Sequence, residues 1–117
     1  MRSLLFSLFL LAASAFGADV TGTWTGTALA NGESHPLHLM LKQQGETITG
    51  SGGPDESKQY PMQKGTVKGD KVAFDIVLEE GLLHFEFTAG AEEMTGTVQH
   101  TGPDGSESGT ASIKRKT

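Results

Sequence analysis

From Val20 to Lys114 apolar and polar side chains alternate with a period of two, and Gly, Asn, Asp or Pro cuts the alternation at short intervals. A strand points successive side chains to opposite faces, whereas a helix face recurs about every 3.6 residues. The pattern therefore predicts short, half-buried strands and no helix. It is clearest in Val72–Leu78, where Val72, Phe74, Ile76 and Leu78 hold the even positions. Eight such segments are predicted, near 20–29, 36–43, 46–52, 59–68, 71–78, 82–88, 93–100 and 108–115, each bounded by turn residues. Sixteen glycines and a hydrophobic content of 36% suit tightly turned strands better than a large helical core.

Ahead of the alternation, Met1-Arg2-Ser3 gives a positive start and Leu4–Ala15 an apolar run that ends in small side chains. This is the layout of a secretory leader, with fitting cleavage sites after Ala15 and Gly17. A membrane span needs about 20 apolar residues, and Asp19 ends the run before that. The expectation is a leader over 1–17, then one barrel domain over 18–117, secreted or periplasmic, with no membrane span after cleavage. The 117 residues allow a single domain. Zero cysteines exclude a disulfide framework, a cysteine-ligated zinc and a thiol nucleophile. Losing Arg2 leaves 8 basic against 14 acidic residues, a charge of −6 that argues against a nucleic-acid partner.

Turn chemistry predicts the pairing. A turn at Asn31-Gly32 sets Trp24 against Leu39 and Gly26 against Leu37. Turns at Gln44-Gly45 and Gly69-Asp70 set Leu39 against Gly50 and Gly65 against Phe74. A Glu79–Leu82 loop sets Phe74 against Phe87, and Gly90-Ala91 sets Phe85 against Gly96. In each hairpin the apolar sets share a face, and a one-residue slip would reverse a whole face. The other face is wet, carrying Thr23, Thr25, His38, Lys64, Asp75 and His84 among others. The fold class expected is all-β: an eight-stranded antiparallel up-and-down meander barrel, with a two-sheet sandwich as the alternative closure.

Gly22-Thr23-Trp24, on the first strand, resembles the Gly-x-Trp signature of the lipocalins and the wider calycin group. The resemblance implies an eight-stranded barrel, often exported, that binds small apolar molecules. That group lays a basic residue of the last strand over the tryptophan, and Arg115 is the matching residue here. The chain is shorter than typical lipocalins and lacks their disulfide and flanking helix, departures that argue against a roomy cavity.

A meander places alternate connections at one end. Gln44-Gly45, Gly69-Asp70 and Gly90-Ala91 are short, while residues 29–35, 52–59, 79–82 and 101–107 read as longer loops around an open rim. That rim carries Asp55, Glu56, Glu79, Glu80, Asp104 and Glu107, so it is expected to be acidic. His35 and His100 have inward parity near it and could share a small polar mouth with Gln63. Leu37, Leu78, Leu83 and Val98 are the inward apolar residues nearest the same rim, and together these seven are the candidate ligand-binding set. Bulky residues facing glycines either fill a narrow lumen or leave room for a guest, and the short strands favour filling.

No catalytic set emerges. His35 and His38 have metal-like spacing, but residues three apart on a strand face opposite ways, so no metal site and no cofactor are expected. Glu79-Glu80 and Glu92-Glu93 are neighbours in turns, not opposed carboxylates. The sequence reads as an exported, monomeric, non-enzymatic binding module for a small apolar ligand at the looped mouth. The alternative is a protein partner: an inhibitor or accessory module acting through acidic loops.

Overall fold

The computed structural model describes residues 19–116; the expected leader lies outside them. Eight strands follow one another: β1 (Gly22–Ala30), β2 (Glu33–Gln44), β3 (Thr47–Asp55), β4 (Lys58–Lys68), β5 (Lys71–Leu78), β6 (Gly81–Ala89), β7 (Glu93–Gly102) and β8 (Gly105–Arg115). Each pairs antiparallel with the next, and β8 returns to β1, closing a barrel. The β1–β8 ladder, from Trp24–Arg115 to Ala30–Gly109, removes the sandwich alternative.

The first hairpin has the predicted register, with Trp24 opposite Leu39. Asn31 and Gly32 both take positive φ, 52° and 76°, as a two-residue turn of this hand requires. Three other registers differ from expectation by two. The second turn is Gly45-Glu46, which places the glycine at φ 63° in the first turn position and sets Leu39 against Gly52. The β5–β6 turn shrinks to Glu79-Glu80, so Phe74 faces Phe85; the β6–β7 turn widens, so Phe85 faces Val98 and Phe87 faces Gly96. Sliding a pairing by two leaves every inward residue inward, so the face assignment survives.

The connections at the mouth end are not long loops. Asn31-Gly32, Glu56-Ser57, Glu79-Glu80 and Pro103-Asp104 are each two residues, and polar stretches such as Ser106-Glu107-Ser108 continue the ladders. Backbone groups need partners whether or not the side chains are apolar, so the strands run on past the packed region.

One difference does reverse parity. Lys64, at φ 55°, forms a bulge: Thr66 pairs with Ala73, Gln63 pairs with Asp75, and Lys64-Gly65 together oppose Phe74. Beyond the bulge Tyr60 and Met62 turn inward, and Gln63 turns outward and is exposed.

The lumen is filled from the end away from the mouth up to its middle. Trp24, Leu39, Ile48, Val72, Met94 and Ile113 are buried there. Phe74, Phe85 and Phe87 stack with centroids 5.1–6.1 Å apart. Glycines let the strands crowd together: a Cβ on Gly26 would overlap the Ser112 carbonyl of β8, and one on Gly96 the Glu86 carbonyl of β6. Their role is close approach of neighbouring backbones, more than room for a facing side chain. His38, expected on the wet face, is only 8% exposed. Its neighbour on β3 is Gly53, and Gln59 Nε2 reaches over that glycine to donate to the His38 carbonyl at 3.0 Å.

Candidate functional site

The closed end is built around Trp24. Its indole Nε1 donates to the Val20 carbonyl at 2.9 Å, and the Arg115 guanidinium stands 4.5 Å from the ring centroid. Arg115 also donates to the Thr21 and Asp19 carbonyls at 2.7 and 2.9 Å, fastening the segment before β1 across the barrel end. The basic lid implied by the Gly22-Thr23-Trp24 resemblance is therefore present in geometry. Trp24 does not line the open space described next.

The mouth half of the lumen is open, with a cavity of about 380 Å³. Small residues make the opening: Ala28 and Ala30 on β1, Gly52 on β3 and Gly109 on β8 line it. Its floor lies where large side chains take over. Leu39 and Ile76 reach across Gly52, where a Cβ would stand 2.5 and 2.8 Å from their terminal methyl groups. Leu37, Leu78, Leu83, Val98 and Phe85 supply apolar wall.

At the lip the chemistry changes. His35, His100, Tyr60, Glu107 and Ser108 bring polar atoms to the edge of an apolar space. His35 Nε2 is 3.8 Å from Glu33 Oε1. The His100 ring lies over Gly102, and His100 pairs with Glu107 across β7 and β8. Asn31 Nδ2 donates to Glu107 Oε2 at 2.7 Å, which ties the β8 carboxylate to the β1–β2 turn. Asp55 orders the neighbouring turn: its Oδ1 accepts from the Ser57 amide and hydroxyl at 2.9 and 2.7 Å, which lowers its pKa.

Of the seven residues proposed from sequence, the fold gathers His35, Leu37, Leu78, Leu83, Val98 and His100 around this cavity. Gln63 is not among them, because the Lys64 bulge sends it to the outer face beside Asp75. Tyr60 takes the place on β4 that parity had given to Gln63. A signal for this was present: the apolar residues of β4 switch from even (Tyr60, Met62) to odd (Gly65, Val67) positions, as they do when a strand carries one extra residue.

A second polar group lies on the outside. His84 Nδ1 is 2.6 Å from Asp75 Oδ1, and its Nε2 is 2.9 Å from Glu86 Oε2. The hydrogen bond to Asp75, then that to Glu86, raises the His84 pKa above its ordinary value. Both ring nitrogens are engaged by carboxylates, so neither is left to serve as a base or to bind a metal. Among the described residues, no group of three or more His, Asp or Glu is placed to hold a metal ion. Comparison with known protein families, curated proteins and solved structures gives no match.

Proposed function

We propose that this chain is an exported binding module that takes up a small apolar molecule through the barrel mouth and does not transform it. The observation that carries this reading is the cavity: about 380 Å³, walled by Leu37, Leu78, Leu83 and Val98, and open at one end. Ligand sites of small molecules start near about 300 Å³ and combine apolar walls with a few polar groups. The mouth has that composition. Export rests on the leader-like first 17 residues. The interaction alternative called for long acidic loops, and the connections at this end are two-residue turns.

The test uses N-phenyl-1-naphthylamine, an uncharged dye that brightens in apolar surroundings, with 1-decanol as competitor. The expected result is saturable dye binding, displaced by decanol. Trp24 is at the closed end, so dye emission and not tryptophan quenching is the signal to follow. Leu83→Trp, which puts an indole into the cavity, should abolish dye binding while keeping the β-type circular dichroism. A parent protein that never brightens the dye, or a folded Leu83→Trp variant that binds it as well as the parent, would overturn the reading.

A further inference from the structure

The charge of the barrel is divided unevenly along its axis, and the division coincides with the cavity. Glu33, Asp55, Glu56, Glu79, Glu80 and Asp104 sit on or beside the four turns that ring the mouth, and Glu107 lines the cavity itself. Lys58 is the one lysine or arginine at that end among the described residues. The described residues hold fourteen acidic and eight basic side chains, so seven of each remain for the rest of the barrel and cancel. The net charge of −6 is thus located at the mouth.

Solubility alone would be served by carboxylates on the outer face. One of the mouth carboxylates, Glu107, lines the cavity, and the exposed Glu33 shares its strand parity. Glu107 has the inward parity of Gly109 and Ala111, and Glu33 pairs with inward Ala30. They lie on β8 and β2, the two strands that flank β1, and Asn31 holds Glu107 from the turn between β1 and β2. Both carboxylates are solvent-exposed in the free barrel, and an amphiphile seated in the cavity would bring its head group to the lip beside Glu107, where a cation is favoured over an anion. An opening edged by one sign of charge above low-dielectric walls also concentrates ligands of opposite charge and repels those of like charge.

Resting on the reading that the cavity takes an apolar ligand, we infer that this ligand is a cationic amphiphile: an apolar body that fills the space down to Ile76 and Phe85, with a protonated amine at the lip against Glu107 and the acidic turns. Fatty carboxylates are selected against by the same charges.

The experiment compares 1-decylamine, 1-decanol and decanoate as displacers of the neutral dye at about pH 8, where a primary amine, with a pKa of about 10.4, stays protonated. The amine should bind about tenfold more tightly than the alcohol, and decanoate more weakly than the alcohol. The gap between amine and carboxylate should narrow at high salt. Glu107→Gln should lower the amine-to-alcohol affinity ratio by about threefold or more, a change that a general loss of stability would not produce. Decylamine must also fail to bind the folded Leu83→Trp variant, because retained binding would mean that the acidic turns hold the amine without the cavity. Alcohol binding with no preference for the amine, or tighter binding of decanoate, overturns the charge inference and leaves the apolar site standing. Failure of all three compounds overturns both.

Discussion

Replacing Trp24 with alanine removes the largest side chain of the closed end, and the structure fixes what is lost. Trp24 is 0% exposed. A buried aromatic residue withdraws roughly 150–250 Å² from water, which at about 25 cal/mol per Å² amounts to about 4–6 kcal/mol. Alanine recovers a small part of that area. The Val20 carbonyl loses its indole donor, a cost of about 1 kcal/mol or more if no water replaces it. The Arg115 contact over the ring adds about 0.5–2 kcal/mol. Against this, Arg115 is only half-buried and can swing into the vacated space, so the cavity left behind is partly refilled. The expected loss is about 4 kcal/mol, equivalent to about 15–30 °C in Tm for a domain of this size. Trp24 is the only tryptophan, so urea unfolding should be followed by far-ultraviolet circular dichroism. The midpoint should fall without a change in slope. Trp24→Phe keeps most of the area and loses the N–H donor, and should cost about 1–2 kcal/mol. A loss below about 1 kcal/mol for the alanine variant would refute the account of this end as packed around the ring. Equal losses for both variants would assign the stability to the Val20 hydrogen bond instead.

Two further outcomes are expected. Gly96→Ala puts a methyl group into the Glu86 carbonyl and against the Phe87 Cα, so it should cost about 2–3 kcal/mol or more in urea unfolding. A near-neutral result would mean that this glycine only leaves space for a facing side chain. The raised His84 pKa makes its stabilisation fully present below the unfolded value of about 6.5 and lost as pH rises through the higher folded value. The imidazole is 38% exposed, so solvent screening holds the gain of the parent over His84→Gln to about 1 kcal/mol or less near pH 5.5. By about pH 9 the two proteins should unfold at the same urea concentration; an advantage that grows with pH would contradict the Asp75–His84–Glu86 geometry.

The period of two determined which residues face inward, and it did so robustly. Side-chain direction along a strand is a local property of the backbone, so turns misplaced by one residue at Gly45 and Glu79 shifted partners by two and left Leu39, Phe74 and Phe85 inside. Alternate turns of a meander share one end, so the grouping of Asp55, Glu79 and Asp104 was also legible. The basic residue over Trp24 was implied by the resemblance of Gly22-Thr23-Trp24 to the lipocalin signature, and not by the alternation. Three things needed the folded barrel. Gln63 left the site because a bulge at Lys64 reverses β4. A non-glycine residue in left-handed conformation costs about 1–2 kcal/mol, and the fold accepts it because the alternative exposes Tyr60 and Met62 and buries Gln63. His38 went from wet to buried, and Gln59 donates to its carbonyl from two strands away, a contact that no single segment encodes. Whether the lumen is filled or hollow was undecidable strand by strand, and the answer is both. Free volume at one level is set by side chains from several strands at once: Trp24, Phe74 and Phe87 close the lower half, while Ala28, Gly52 and Gly109 coincide at the mouth and leave the space between them open.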